Sequence, residues 1–516
     1  MFRAITEVSE TVLPPGAEYA QYKEHKVSDH RGNPLIEALP VVLEEDEALQ
    51  RLKRSPDLPG SIKRQSPKER FHELANALDR LYIPTVMAMR IQRAIELMLY
   101  RGYVHRNPAR QIFNRTVIQA CDNLHKKVVE GTYEWPKGST MLLRGIPGMG
   151  KTRLVERCLS LYRPVIYHTE WQGQPFPFQQ RVWIKLNCPS DGSVRGLCIN
   201  FFQELDRLFQ TQYWSRYGRL TKYELVPVMA NLVLRHGIGI LAIDEIQNLM
   251  DAKTDGVRVM LNFFVELENT LGLPILLVGT YAADELVFQR YHQRRRVNGE
   301  GYFEWTPLEF GGEWEAFTQA LWTCQVLKTS SRWTQEMSAA LHEVSFGVTD
   351  IALRVFRFAQ EEAIDDGTEK LTVDVIRDTA KRHCPLTAPI IAALRDKDWE
   401  NEVLEDLDDV LPLERRQQDK KTNKGKESSS LVSSIHSTPR LASDSACRSR
   451  PMLTKTKDRV ADSKPRPRRN TTGRQSSLPK VVQEGRVEGK SGVEAITEKG
   501  WIAVPPAGGA SNGGNR

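Results

Sequence analysis

A glycine-rich loop that ends in Lys-Thr constrains the fold of this chain more than any other feature. Residues 145–152 read Gly-Ile-Pro-Gly-Met-Gly-Lys-Thr, a complete G-x-x-x-x-G-K-T pattern. The apolar run at 141–143 predicts a strand before the loop, and residues 153–161 predict a helix after it. In this context glycines let backbone N–H groups surround phosphates, and the helix N-terminus adds a favourable dipole. The pattern therefore predicts an α/β fold with a nucleotide site.

The residue types in the loop assign a role to individual positions. We expect Lys151 to reach the β- and γ-phosphates of ATP, and the hydroxyl of Thr152 to coordinate Mg²⁺. A Gly- and Pro-rich turn could end in Lys-Thr by chance. Such a turn would not be expected between a strand and a helix, so a phosphate site is the favoured interpretation. The candidate nucleotide-binding residues are Gly145, Gly148, Gly150, Lys151, Thr152 and Arg153.

Two acidic residues end a second apolar run, at 240–243. Such a run is consistent with a buried parallel strand, where carboxylates are costly unless they have a function. Asp244 suits a Mg²⁺ contact, usually through water, and Glu245 suits polarisation of the attacking water. A strand end that meets solvent would explain the acid pair alone, but the phosphate loop favours the catalytic interpretation.

Thr280 follows a third apolar run, at 275–278, after Gly279. If this strand lies beside the acid-bearing one, Thr280 would lie close to the γ-phosphate and could orient water, although a Thr at a strand end is common.

Downstream, residues 293–296 read Gln-Arg-Arg-Arg. In ring- or filament-forming ATPases an arginine in such a place stabilises charge on a neighbour's phosphate. A solvated basic loop is the alternative.

Composition favours a soluble, cytoplasmic protein without a membrane segment. We find no run near the ~20 apolar residues that a membrane helix needs, and residues 1–7 lack the apolar core of a secretion signal. The 7 cysteines show no C-x-x-C pair, which suggests reduced thiols rather than disulfides or a zinc site.

The positive charge belongs to the C-terminal part of the chain. Residues 414–516 hold 22 Lys and Arg against 10 Asp and Glu, so they carry +12, and residues 1–413 carry −5 of the net +7. This tail is rich in Ser, Pro, Gly and Lys with few aromatic residues, so we expect it to be disordered. It could attract DNA or dock a partner. A solvated extension without a specific role explains it equally well.

Apolar spacing divides the chain into four parts. We predict an N-terminal arm and helical extension over 1–100, an α/β ATPase core over 101–312, and a helical lid over 313–395. An acidic linker and the basic tail occupy 396–516. Helical segments separate most of the predicted core strands, as a parallel sheet requires; these strands are 141–143, 165–167, 182–186, 240–243 and 275–278.

Several segments besides the phosphate loop resemble one known family. Asn-Pro-Leu-Ile-Glu-Ala-Leu-Pro at 33–40 and Arg-Gly-Tyr-Val-His-Arg-Asn-Pro at 101–108 are much more specific than the loop. The other matching segments are 165–168, 197–202, 205–207, 243–249, 260–264 and 277–280. Over residues 30–395 the chain resembles the TnsC family, AAA+ ATPase regulators of cut-and-paste bacterial transposons with separate target selectors. The tail after residue 410 does not share the resemblance.

The resemblance implies a fold and a function. The fold would be an AAA+ P-loop NTPase core, a parallel sheet flanked by helices, with an α-helical lid. The protein would be an ATPase that uses ATP and Mg²⁺, binds double-stranded DNA, and assembles on it as a homo-oligomeric ring or filament. It would link a target-selector protein of the TniQ or TnsD type to transposase subunits and so control insertion.

The resemblance also carries roles onto single residues. The phosphate loop and the acid pair match position by position, and Thr280 matches the water-orienting sensor. The arginine that reaches the neighbouring subunit is not a clean match, because adjacent arginines occupy that region. We favour Arg295, with Arg296 as the next choice.

DNA contacts in such assemblies come from the segment between the P-loop helix and the acid-bearing strand. Basic and hydroxyl side chains suit backbone contacts that ignore sequence. An ordinary solvated helix face remains the alternative. The candidate DNA-binding residues are Arg216, Arg219, Thr221 and Lys222.

Two other classes of protein stay open at this point. A signalling or defence ATPase switch would bind no DNA, although such proteins usually carry long repeat arrays, and we see none here. A scaffold could bind ATP to assemble and turn it over negligibly. The intact Glu245 argues against that second alternative.

Overall fold

A computed structural model describes residues 13–14, 16–126, 138–249, 256–283 and 301–396. These residues lie in one compact unit, Met1–His436, and the second unit, Ser437–Arg516, lies outside the described residues. The acidic linker, from residue 397 onwards, and the basic tail also lie outside them. In the described part, no helix is long and apolar enough to cross a membrane.

The described chain begins with a short strand, is otherwise helical before and after its central part, and alternates helices and strands within it. The strands are β1 (Ala17–Tyr19), β2 (Thr140–Gly145), β3 (Val165–Trp171), β4 (Gln174–Arg181), β5 (Trp183–Asn187), β6 (Ile240–Asp244), β7 (Ile275–Gly279) and β8 (Gly301–Trp305). The helices before the lid are α1 (Pro34–Glu37), α2 (Glu45–Leu52), α3 (Pro67–Arg80), α4 (Val86–Val104), α5 (Gln111–Lys126), α6 (Lys151–Leu159), α7 (Val194–Phe209), α8 (Tyr213–Tyr217), α9 (Lys222–Arg235) and α10 (Gly256–Leu271). The lid helices are α11 (Gly312–Trp322), α12 (Gln335–Ser345), α13 (Thr349–Asp365), α14 (Val373–His383) and α15 (Ala388–Asp396).

Five strands form a parallel sheet in the order β5-β6-β7-β2-β8. The strands predicted at 141–143, 182–186, 240–243 and 275–278 are confirmed within this sheet. Because all five run the same way, their carboxyl ends meet at one edge. The phosphate loop follows β2, the acid pair ends β6, and Thr280 follows β7, so the sheet brings the three predicted site segments to that edge.

The three central strands β6, β7 and β2 are buried on both faces, which explains their continuous apolar runs. Along β6, Ile240 and Ala242 face a cluster that contains α6, whereas Leu241 and Ile243 face a second cluster that contains α7, α9 and α10. Side chains of a strand point alternately to its two faces, so the residues that face either side must be apolar here. The first cluster also includes the N-terminal and lid helices, so these pack as part of the core.

The strand predicted at 165–167 forms, but its place in the parallel core is wrong. It is the start of β3, which pairs in parallel with β1 and antiparallel with β4 in a separate three-stranded sheet. The reason is the two-residue connection between β3 and β4. Gln172 and Gly173 both have positive φ, 52° and 74°, which is the geometry of a tight antiparallel hairpin.

Helices α3 and α4 occupy most of residues 67–104, and helices α11 to α15 occupy most of residues 312–396. The hydroxyl of Ser66 accepts from the backbone N–H of Glu69 and begins α3, and Thr85 begins α4 in the same way through Ala88. The segment at 33–40 forms the short helix α1. Its cap residue Asn33 donates to the backbone oxygen of Tyr103 at 2.8 Å, which ties this segment to α4.

Candidate functional site

The phosphate loop lies between β2 and α6, with its backbone in the conformation that glycine allows. Gly148 and Gly150 have φ of 77° and 81°, a region that other residues rarely adopt, and Gly150 caps the start of α6. A Cβ at Gly145 would lie 2.1 Å from the backbone oxygen of Trp305, so no side chain fits there. The glycines of the pattern are therefore required by backbone conformation and by packing.

Two distant elements brace the loop. The indole Nε1 of Trp305, the last residue of β8, donates to the backbone oxygen of Met149 at 2.7 Å. From the start of α13, the backbone N–H of Asp350 donates to the oxygen of Gly148 at 3.1 Å, and the hydroxyl of Thr349 reaches the same oxygen at 3.4 Å. The loop thus contacts both an edge strand and a lid helix, and neither contact has a local signature in the sequence.

Lys151 is the first residue of α6, directly after the glycines of the loop. Its Nζ donates to the backbone oxygens of Gly145 and Ile146, at 2.7 and 2.8 Å, within the loop itself. Thr152 follows in the first turn of α6 and is half-buried. Phosphate oxygens are stronger partners for an ammonium than neutral carbonyl oxygens, so this arrangement fits an ATP phosphate chain.

Arg153 points away from the phosphate loop, towards the end of α3. Its guanidinium donates to the backbone oxygen of Asp79, and burial lowers its pKa. Its contact with nucleotide therefore stays a prediction from the sequence.

Asp244 is the buried member of the acid pair. It ends β6 with 3 % of its surface exposed, and its Oδ2 lies 3.4 Å from Nζ of Lys185 on β5. The same Nζ is 2.6 Å from Oε1 of Glu156 on α6. A buried carboxylate needs such a counter-charge. Lys185 has no local motif in the sequence, because its partners lie on other elements.

Glu245 and Thr280 are joined through a third residue, Gln247. Glu245 is exposed, and its φ is 56°. Thr280 is buried, and its backbone N–H donates to Oε1 of Gln247 at 3.2 Å. The Nε2 of Gln247 donates to the carboxylate of Glu245. The predicted place of Thr280, after the strand beside β6, is confirmed by the pairing of β6 with β7.

The donor set fits a nucleotide-bound Mg²⁺. Among the described residues, no group of three or more His, Cys, Asp or Glu could hold a metal by itself. Mg²⁺ in phosphate-transfer sites needs only one or two protein ligands besides phosphate oxygens and water. The Thr152 hydroxyl and the Asp244 carboxylate are of the right type. The predicted Arg295 and Arg296 lie outside the described residues.

The candidate DNA-binding residues cluster around α8. Arg216 is exposed and lies over the ring of Tyr217, 5.3 Å from its centroid, and Arg219 is exposed in the turn that follows. Thr221 precedes α9, and both its N–H and its hydroxyl donate to Glu224 at 2.8 Å. The side chain of Lys222 lies outside the described residues.

Two other side chains belong to this surface, an exposed tryptophan and an arginine that holds the turn after α8. Trp214, on the same short helix α8, exposes 51 % of its surface. The guanidinium of Arg195, on α7, donates to the backbone oxygens of Leu220 and Gly218 at 2.5 and 2.6 Å. Arg195 therefore fixes the turn that carries Arg219.

The central part of the chain is similar to a known family of domains. Residues 137–287 match a family model described as an AAA domain. No curated protein matches the chain.

Solved structures that align with the chain have low identity. A Walker-type ATPase of Pyrococcus abyssi is 17% identical, with 56% of this chain and 76% of that one covered and a TM-score of 0.35. The Aeropyrum pernix ORC2 protein is 12% identical, with 52% and 66% covered and a TM-score of 0.32. Drosophila ORC bound to DNA is 14% identical, with 59% and 68% covered and a TM-score of 0.31.

The AAA domain match covers β2, α6, β6 and β7, which are the elements that carry the phosphate loop, the acid pair and Thr280. The five-stranded parallel sheet is flanked by helices on both faces. The fold class expected from the sequence is therefore confirmed: the chain has an AAA+ P-loop NTPase fold.

Proposed function

We propose that this chain is an ATPase that binds double-stranded DNA and regulates DNA transposition. One observation carries the ATPase part: the phosphate loop, Asp244, Glu245 and Thr280 meet at the carboxyl edge of one parallel sheet. That edge is where open α/β sheets bind ligands. The transposition part rests on the resemblance of residues 30–395 to the TnsC family.

Each residue at the carboxyl edge of the sheet has a separate role in hydrolysis. Lys151 and the loop N–H groups bind the phosphates, and Mg²⁺, when bound, neutralises charge on the phosphate oxygens. Thr152 and Asp244 would hold the metal, and Lys185 keeps the Asp244 carboxylate in place. Glu245 polarises the attacking water, and Thr280 orients it.

DNA binding is assigned to the surface around α8. Residues 1–413 carry a net charge of −5, so overall charge cannot attract DNA to this part of the chain. A local basic surface is needed, and Arg216 and Arg219 are exposed there beside Trp214. Guanidinium groups suit phosphate contacts that do not depend on sequence.

The assembled protein would be a homo-oligomeric ring or filament on DNA. In it, Arg295 or Arg296 of one subunit would stabilise the phosphate charge at its neighbour's site. The assembly would contact a target selector of the TniQ or TnsD type on one side and transposase subunits on the other. ATP binding and hydrolysis would then control where insertion occurs.

Duplex DNA binding with and without ATP tests the proposal. We expect ATP-dependent binding in a filter assay, with binding weakened at every sequence in Arg216→Ala/Arg219→Ala. The slope of log affinity against log salt should fall by about 2, one for each lost phosphate contact. The charge-matched control is Arg332→Ala/Lys381→Ala, two exposed residues of the lid region. Absence of any DNA binding by the wild type would favour a signalling or defence switch.

A chain truncated after residue 413 separates the core from the tail. It keeps every element of the site, so it should still hydrolyse ATP and assemble on duplex DNA. Losing +12 of charge should mainly lower non-specific affinity at low salt. Loss of all ATP-dependent assembly would place the DNA-binding surface in the tail and contradict the role of Arg216 and Arg219.

A further inference from the structure

A single carboxylate holds the start of the short helix around which the candidate DNA-binding residues cluster. Asp206 lies in the last turn of α7 and is half-buried. Its Oδ1 accepts from the hydroxyl of Thr211 and from the backbone N–H of Tyr213, both at 2.6 Å. Its Oδ2 accepts from the backbone N–H of Trp214 at 2.8 Å. The first two backbone N–H groups of α8 therefore donate to one side chain of the preceding helix.

Helix α8 has only five residues, so it depends on contacts of this kind. A helix this short is not stable by itself in water, because its nucleation fixes several residues for few hydrogen bonds. Gln210 ends α7 with a φ of 52°, in the left-handed region that residues with a side chain rarely adopt. The regular hydrogen bonds of α7 stop at this residue. The bonds to Asp206 then hold the following segment against α7.

Two further contacts fix α8 and the turn after it. The hydroxyl of Tyr213 lies 2.9 Å from Nε2 of His236. Burial lowers the pKa of His236 to about 3, so this imidazole is neutral at physiological pH and the contact does not change with its charge. At the other end, Arg195 donates to the backbone oxygens of Leu220 and Gly218. The protein itself therefore holds α8 from both ends.

The charge of Asp206 is unfavourable for a surface that binds DNA. A carboxylate repels phosphates, and the exposed Arg216 and Arg219 lie on the segment that Asp206 holds. A neutral side chain would suit phosphate binding better, so the acid must contribute something else at this position. Three hydrogen bonds to a carboxylate supply that contribution, since charge-assisted bonds are about twice as strong as neutral ones.

We propose that Asp206 is a positioning residue that preforms the DNA-binding surface around α8. By fixing the start of α8, it fixes the places of Arg216 on the helix and of Arg219 in the turn that follows. The two guanidinium groups then meet phosphates without a prior cost of ordering the segment. Asp206 acts through these arginines and does not itself contact DNA. This inference rests on the proposed DNA-binding function and explains why an acid is kept at this surface.

The sign of the change in DNA affinity separates this role from simple electrostatics. Removing a carboxylate beside a DNA-binding surface should strengthen binding if only charge matters. If Asp206 positions the arginines, the same change should weaken binding, because α8 loses its anchor. We expect Asp206→Ala to lower the affinity for duplex DNA about tenfold, as for the loss of hydrogen bonds to a charged group. The slope of log affinity against log salt should fall towards that of Arg216→Ala/Arg219→Ala, since fewer phosphates are contacted.

Equilibrium binding of a fluorescently labelled duplex to the full chain, with a non-hydrolysable ATP analogue and at several salt concentrations, measures both quantities. Asp206→Asn is the second variant. Its amide oxygen can still accept from Thr211 and Tyr213, but no second oxygen remains for the N–H of Trp214. We therefore expect a smaller fall in affinity, about threefold, and this variant decides the outcome if Asp206→Ala does not fold. Thermal melting identifies the folded variants.

A mutant cycle shows whether Asp206 acts through the arginines. Adding Asp206→Ala to Arg216→Ala/Arg219→Ala should lower the affinity by less than about twofold further, because the positioned groups are already absent. Glu224→Gln is the matched control for the loss of charge. It removes a carboxylate beside Thr221 and keeps an amide oxygen for the N–H and the hydroxyl of that residue. Its DNA affinity should not fall.

The proposal is overturned if the folded Asp206 variants bind DNA as tightly as wild type or more tightly. It is also overturned if Asp206→Ala lowers the affinity equally with and without the two arginines, or if Glu224→Gln weakens binding as strongly. A different result would contradict the proposed DNA-binding surface itself: wild type binds duplex DNA, and Arg216→Ala/Arg219→Ala leaves both affinity and salt slope unchanged.

Discussion

Replacing Arg70 with methionine should destabilise this chain strongly, although Arg70 lies far in sequence from every predicted site residue. The side chain is on α3 and only 1% exposed. Its Nη1 and Nη2 donate to the two carboxylate oxygens of Glu369, at 2.8 and 2.7 Å, and Nη1 also reaches the backbone oxygen of Val326 at 3.0 Å. This bidentate pair ties the N-terminal helices to the loop between the lid helices α13 and α14.

The expected loss in the free energy of unfolding follows from the Glu369 carboxylate, which remains without its partner. Removing one partner of a buried ion pair costs about 3–5 kcal/mol, because the other charge loses its compensation. Glu369 is 13% exposed and still accepts from the backbone N–H of Lys328 at 2.9 Å, so we expect the lower value, about 3 kcal/mol. Arg377→Met is the control. It breaks an exposed pair with Glu343 and should cost less than about 1 kcal/mol.

The destabilisation caused by Arg70→Met should decrease as the pH falls. The hydrogen bonds from Arg70 hold the pKa of Glu369 below its usual value. A lowered carboxyl pKa contributes stability that is complete above the unfolded value, about 4.3, and is lost as pH falls through the folded value. The difference between wild type and Arg70→Met should therefore be largest near neutral pH and shrink in acid.

Denaturant unfolding followed by tryptophan fluorescence, at pH 7 and at pH 4, measures both quantities. A double variant with Glu369→Gln should recover part of the loss, because the unpaired charge is then removed. Equal destabilisation by Arg70→Met and Arg377→Met at neutral pH would refute the reasoning. So would a difference that grows as the pH is lowered.

Three further predictions concern the site. Lys151→Ala should weaken ATP binding about 100-fold in equilibrium titration and prevent ATP-dependent assembly on DNA, since charge-assisted hydrogen bonds contribute about 1.5–3 kcal/mol each; wild-type binding and assembly would contradict the phosphate-loop assignment. Glu245→Gln should keep ATP and DNA binding but slow hydrolysis and prolong complexes on DNA, and Thr280→Ala should slow hydrolysis less, both measured by steady-state phosphate release. Unchanged turnover would remove either residue from its role. Trp305→Phe leaves the buried oxygen of Met149 without its indole donor, a cost of about 1–3 kcal/mol, and should raise the Kd of ATP about tenfold; an unchanged Kd would show that β8 does not set the shape of the loop.

Features with a local signature could be predicted from the sequence. The phosphate loop is a contiguous pattern, and the central parallel strands β2, β6 and β7 contain continuous apolar runs because both of their faces are buried. The placement of Thr280 beside the acid-bearing strand followed from the same runs. The helical regions before and after the core showed clear 3.6-residue spacing.

Features that depend on pairing across the fold could not be predicted. β8 begins with Gly301 and is half-buried along most of its length, so it lacks a continuous apolar run. β4 reads Gln-Pro-Phe-Pro-Phe-Gln-Gln-Arg, and prolines in a run argue against a strand unless it lies at a sheet edge, as β4 does. Lys185 and Gln247 act through partners on other strands, and only the register of the sheet brings them to the site.

The contact between Trp305 and the phosphate loop also makes that indole a suitable place for a spectroscopic probe of the loop. The ring donates to the loop from outside, through Met149, while the proposed phosphate-binding groups are the loop's own N–H groups and Lys151. A fluorine atom placed on the Trp305 ring would therefore sense the loop without displacing a ligand contact. The chain has 10 tryptophans, so the resonance of Trp305 would be assigned by its loss in Trp305→Phe. If the loop binds ATP as proposed, the chemical shift of this fluorine would differ between the free and the nucleotide-bound loop, independently of any measurement of hydrolysis.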